Sequence, residues 1–244
     1  MKISKIIYFF VQLTASFFSF ILKGASSDAI YHFPLTRNYI PIINNLIKGR
    51  KVLNLGCSET SAVFKVNQSQ IPQKKYWFHE YLSNQADHVF GVDIDTLKIN
   101  DMKKYGFNVE KFDLNSKIEI NTKYDVVIAH HLVEHISNIK TFISNIKRCL
   151  NKDGVFIIKA FNGRGWAYDA SVDLHDLNNT DYSNPKHVMT YAPIPFINML
   201  NENGLSVKRG YFICSNRYCS IISFFNKTKA DDFFLICEFT DDVR

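Results

Sequence analysis

Between His131 and His135 the sequence reads HLVEH, two imidazoles and a carboxylate in one short stretch. On an α-helix this H-x-x-E-H spacing would put both histidines on one face. They could then hold zinc while the glutamate served as a base for hydrolysis. That chemistry needs the helix. The preceding YDVVIA is an apolar, β-rich run, so His131 is expected at a strand end. Helical spacing begins later, with Ile139, Phe142, Ile143, Ile146 and Leu150, and Ser137 or Asn138 suits the N-cap. The i, i+4 geometry is therefore not provided, and no third ligand is marked. Peptide hydrolysis is not the expected chemistry.

The elements that position these residues alternate. Apolar runs occur at KVLNLG (51–56), HVFGVDID (88–95), FNVEKFDL (107–114), YDVVIAHH (124–131) and GVFIIKAF (154–161). IPFINMLNENG (194–204) reads as a helix, and SVKRGYFI (206–213) and DDFFLICEF (231–239) read as closing strands. The polar, turn-rich stretch from Asn162 to His187 reads as a substrate-side loop. Strands alternating with helices predict an α/β fold with a parallel sheet covered on both faces. Such sheets bind ligands at the carboxyl ends of their strands. Those ends carry Gly56, then Asp93 and Asp95, then Asp113 and Leu114, then His130 and His131. Singly these are a turn glycine, cap or turn acids and hydrogen-bonding histidines. Their order is what points to a site.

In that order the chain resembles the class I S-adenosylmethionine-dependent methyltransferases. The matching stretches are VLNLGCSE, HVFGVDID, NVEKFDLNS, YDVVIAHHLVEHISNIKTFISNIKRCLNKDGVFIIKAFN and NPKHVMTYAPIPFINMLNENGLSV, over roughly residues 50–210. Within the family the chain is similar to members of glycan biosynthesis and to ubiquinone-pathway O-methyltransferases. The resemblance implies a Rossmann-like, seven-stranded, mostly parallel sheet with an antiparallel C-terminal strand. It implies S-adenosyl-L-methionine as cofactor, held through Asn54, Gly56, Cys57, Asp93, Ile94, Asp113, Leu114 and His130. The chain departs from the family where Asn54 replaces an acid, where Ser58 and Thr60 replace glycines, and in a longer stretch between Gly56 and Asp93. The implied activity is O-methylation of a sugar hydroxyl in glycan biosynthesis. A phenolic or quinone-type metabolite, or an inactive methyltransferase-like scaffold, stands as the alternative.

An alcohol acceptor must lose a proton, and histidine suits that work near neutral pH. His130, His131 and His187 are the catalytic candidates. No metal site is expected. His131, Glu134 and His135 are the positions where similarity to the ubiquinone-pathway members would put an ion, and hydrogen bonding of the loop by Glu134 and His135 is the structural alternative.

Charge is distributed unevenly. Seven of the 29 basic side chains but only one of the 23 acids lie in residues 1–51, so the remaining 22 of each sign balance. A balanced body points away from nucleic acid, which selects a basic face on the domain. Five cysteines without CxxC spacing suggest neither a disulfide framework nor a zinc site, and fit a reducing cytosol. The leader MKISKIIYFFVQLTASFFSFILKG reads as a signal peptide, as a transmembrane helix, or as an amphipathic helix with Lys5, Gln12, Ser16, Ser19 and Lys23 in one polar stripe. Its apolar run, Ile6 to Leu22, is short for a bilayer. The expected organisation is an amphipathic or membrane-associated helix in residues 1–30 and a methyltransferase domain in 31–244. The expected location is the cytoplasm, at the inner face of a membrane, with residues 1–24 against its surface.

Overall fold

The computed structural model describes residues 7, 9–15, 17, 32–58, 76–165, 187–214 and 217–240. Residues 9–15, with 7 and 17, are helical. Eight strands follow: β1 (Leu35–Thr36), β2 (Lys51–Leu55), β3 (His88–Asp93), β4 (Val109–Lys111), β5 (Tyr124–His130), β6 (Leu150–Phe161), β7 (Leu205–Ile213) and β8 (Asp232–Phe239). Among the described residues six further helices accompany them: α1 (Ile40–Ile47), α2 (Trp77–Gln85), α3 (Thr96–Lys104), α4 (Ile139–Cys149), α5 (Pro193–Glu202) and α6 (Arg217–Phe225).

The strands form one sheet in the order β1-β7-β8-β6-β5-β2-β3-β4. β8 pairs antiparallel with both β6 and β7, and the other pairings are parallel. This is the Rossmann-like, mostly parallel sheet that the resemblance implies, with eight strands rather than seven because β1 adds an edge strand.

The interior strands are apolar on both sides because both sides are covered. Along β5, Val127 and Ala129 face one layer with Phe142, Ile143 and Ile146 of α4 and Phe196 and Leu200 of α5. Val126 and Ile128, one residue out of phase, face the other layer with Ile43 and Ile47 of α1 and Trp77, Phe78 and Leu82 of α2. Local signals set the helix starts. Asn138 caps α4 by accepting from the Thr141 N–H, and Asp95 caps α3 by accepting from the Leu97 and Lys98 N–H groups.

One sequence expectation is overturned. Cys214 and Cys219 are disulfide-bonded, joining the end of β7 to α6, while Cys57, Cys149 and Cys237 are free and buried. Five residues of separation let the chain turn from strand to helix and bring the two Cα atoms to 5.5 Å, within bonding reach. The expected boundary at residue 30, the lysines and serines of the leader's polar stripe, Thr60, and most of the loop before His187 lie outside the described residues.

Candidate active site at the strand ends

The strand order reverses at β2, which lies between β5 and β3. The crevice at such a switch point is where open α/β sheets take ligands. Gly56 leaves β2 with φ +68°, and a Cβ there would lie 2.9 Å from Leu132 Cδ1 of the segment after β5. A side chain at position 56 would have to adopt this positive φ and push the Leu132 side chain aside. The Gly56 and Cys57 N–H groups donate to the Val92 carbonyl, and the Ser58 N–H donates to Asp93 Oδ2 at 3.1 Å. Asp93 Oδ1 accepts from the Asp95 N–H at 2.9 Å. Each carboxylate oxygen keeps further acceptor capacity. Asp113 similarly accepts from the Asn115 N–H and the Ser116 hydroxyl, which orders the turn after β4.

The other positions singled out from sequence have these surroundings. Asn54 is buried, and its amide donates to His79 Nδ1 on α2 at 3.1 Å. Burial lowers the His79 pKa to about 4, so the pair is neutral where the family carries an acid. Cys57 packs under the loop against Met102, and Leu114 is in the core. Ile94, by contrast, is exposed beside Asp93.

The three candidate bases differ sharply. His130 is buried, stacks on Phe78 at 4.3 Å and shares a 2.8 Å hydrogen bond with the Tyr39 hydroxyl. Burial first, then the Lys159 charge, drives its pKa down. His131 has φ +48°, the positive φ of a non-glycine residue among the described residues. Such a conformation costs about 1–2 kcal/mol. It is held by the His131 N–H donating to the Lys159 carbonyl and by the Lys159 ammonium against His131 Nε2. Burial and that ammonium lower the His131 pKa to about 3. Lys159 in turn donates to Asp232 Oδ2 at 2.6 Å. His187 is half-buried, with its ring 4.7 Å from that of His135. Burial and then His135 lower its pKa, while Glu134 opposes them.

Glu134 organises this corner. Its Oε1 accepts from the Phe161 N–H at 2.6 Å, and its carbonyl accepts from the Val188 and Met189 N–H groups. Burial raises its pKa, and Oε2 is buried without a hydrogen-bond partner among the described residues. Val133–His135 is a single 3-10 turn rather than an α-helix. No group of three or more metal-ligating side chains converges among the described residues.

Lys159, Asp232 and Tyr39 were not singled out from the sequence. A lysine inside the apolar run VFIIKAF is the signal that marks the first, since a buried strand admits a charge only when it is paired.

A doubly covered, mostly parallel sheet with acids at successive strand ends and a glycine at the switch point defines a Rossmann-like, ligand-binding α/β domain. Comparison with known proteins narrows this. A methyltransferase-domain family model matches residues 46–199, and the chain belongs to that family. Its fold is that of the class I methyltransferases. The TehB-like SAM-dependent methyltransferase of Corynebacterium glutamicum superposes with a TM-score of 0.51 at 16% identity, over 82% of this chain and 85% of that one. A SAM-dependent methyltransferase from Mesorhizobium loti gives 0.57 at 10% identity, over 82% and 96%. The magnesium protoporphyrin IX methyltransferase of Synechocystis, solved with SAH, gives 0.53 at 14% identity, over 82% and 78%. No curated protein matches the chain.

Proposed function

We propose that the protein transfers the methyl group of S-adenosylmethionine to a sugar hydroxyl of a membrane-borne glycan intermediate, with His187 as the base. The close Gly56–Leu132 approach and the exposed Ile94 beside Asp93 fit this cofactor. Asp93 would accept from the ribose hydroxyls and Asp113 from the adenine amino group, with Ile94 along the ring. The bound sulfonium supplies an electrophilic methyl carbon.

This chain's own residues then hold the acceptor and take its proton. The observation that carries the assignment is how the three histidine rings are occupied. His130 is sealed by Phe78 and Tyr39, and Lys159 covers Nε2 of His131. His187 remains half-open, with its pKa lowered so that the ring is neutral at neutral pH. Glu134, on the opposite side of the balance, favours the imidazolium that forms when the ring accepts a proton. The sugar acceptor is supported by the similarity of the EHISN…KDG block to glycan-pathway members and by the basic, apolar leader.

Calorimetric titration with S-adenosylhomocysteine tests the cofactor assignment. Saturable binding that Asp93→Ala weakens is expected, and absence of binding by the unaltered protein overturns it. Incubation with methyl-labelled donor and panels of glycolipid or phenolic acceptors tests the rest. Label confined to phenols overturns the sugar assignment, and a His187→Ala protein retaining the full rate and its acid limb overturns the base.

A further inference from the structure

Helices on a protein surface normally turn their apolar face inward. The N-terminal helical segment does so only in part: Phe9 is buried, but several of its apolar side chains face outward. Ile7, Phe10, Val11 and Phe17 are 59%, 58%, 56% and 44% exposed, whereas Gln12 is half-buried. A second exposed apolar group adjoins them. The Phe17 ring meets the Phe225 ring of α6 at 5.5 Å, and on the same helix Phe224 is 76% exposed, with Ile221 at 37%. Isolated exposed apolar residues are ordinary, but aromatic and aliphatic groups gathered on two touching helices mark a docking surface.

α6 is rigidly placed. The Cys214–Cys219 bond ties its start to β7, Arg37 Nε donates to Ser220 Oγ at 2.8 Å, and the Asn162 amide donates to the Thr228 and Ala230 carbonyls just beyond its end. Register fixes which end of the sheet this is. Ile213 at the end of β7 pairs with Asp232, and Asp232 pairs with Phe161 at the end of β6. α6 therefore starts at the same end of the sheet as Lys159, Glu134 and His187, and the N-terminal helical segment meets it through Phe17.

Charge selects the partner. Lys2, Lys5 and Lys23 bracket the leader's apolar run with no acid before Asp28, and Lys227 and Lys229 follow α6. In sequence, cations flanking an apolar helical segment match an anionic bilayer, which takes apolar rings into its acyl boundary. Among the described residues no helix is long and apolar enough to cross a membrane.

We infer that Ile7, Phe10, Val11, Phe17, Ile221 and Phe224 form one face that docks on an anionic lipid surface and turns the strand-end site toward the headgroups. The inference rests on the membrane-borne acceptor above only for its purpose, so docking and cofactor binding are measured separately. The full-length protein is floated with vesicles of phosphatidylcholine alone and of equimolar phosphatidylcholine and phosphatidylglycerol. Flotation with the anionic vesicles is expected, reduced about tenfold in partition coefficient by Phe224→Glu and by Phe10→Glu. Affinity for S-adenosylhomocysteine should be the same in all three proteins, which shows that both variants fold. Loss of that affinity in the unaltered protein would count against the cofactor reading and leave the flotation result to stand by itself. Docking is overturned if the unaltered protein stays with the soluble fraction or if the variants float equally well. A concentration-dependent dimer that Phe224→Glu dissociates overturns it in favour of self-association.

Discussion

Asp232→Ala should cost far more stability than a single aspartate usually does. Its carboxylate lies 2.6 Å from the Lys159 ammonium, and the two side chains are 8% and 3% exposed. Lys159 also stands over the Tyr39 ring at 5.2 Å and against His131, so it has no path to water without opening the corner. Removing the acid leaves a buried cation without its counter-charge, which typically costs about 3–5 kcal/mol. In a domain of this length that lowers the melting temperature by about 6–20 °C. Lys159→Met should cost a similar amount, by leaving the carboxylate buried. The double variant Lys159→Met with Asp232→Leu removes both charges and should be more stable than either single one, with a coupling energy of about 2 kcal/mol or more. Urea unfolding of the four proteins gives the cycle directly. Single variants each within about 1 kcal/mol of the unaltered protein, or a double variant equal to their sum, would refute the reasoning.

Gly56→Ala should weaken S-adenosylhomocysteine binding about tenfold in calorimetry, because the added Cβ must tolerate φ +68° and displace Leu132 Cδ1 from 2.9 Å. Acid should destabilise the fold early. His79 and His131, with pKa values lowered to about 4 and about 3, stay neutral in the folded protein, while the unfolded chain protonates near 6.5. Their contribution is therefore whole above pH 6.5 and lost as pH falls toward the folded values, by about 1.4 kcal/mol per pH unit for each at most. Urea midpoints that stay flat from pH 7 to about 5 would contradict this, and His79→Gln should flatten part of the slope. Cys214→Ser should lower stability by about 2 kcal/mol, the loop-closure value for so short a ring, and the same loss should follow reduction of the unaltered protein. Equal melting temperatures with and without reductant would contradict it.

The sheet was legible where buried parallel strands announce themselves as apolar runs. β5 follows YDVVIAHH closely and the Asn138 cap marks the start of α4, whereas β6 begins at Leu150, four residues before GVFIIKAF and at a residue whose spacing read as helical. β1 was not legible, since two residues, Leu35 and Thr36, carry no period and owe their strand geometry to pairing with Phe212 and Ile213. At the site, position along the strands was readable but side-chain occupation was not. Nothing local shows that His130 meets Tyr39, 91 residues away, or that Lys159 meets Asp232, 73 residues away. These are products of topology, and they decide which histidine keeps an open ring.

The interior position of β8 bears on how the protein is made. It is the last of the described strands in chain order, yet it lies between β6 and β7 and carries Asp232. A ribosome that has released everything through β7 has delivered two strands that are not neighbours in the folded sheet, and a lysine whose counter-charge is still in the exit tunnel. That half of the sheet therefore closes in a single late step. Until then the nascent chain holds the edges of β6 and β7 open, which makes the interval before β8 emerges the period of greatest exposure to mispairing and chaperone capture.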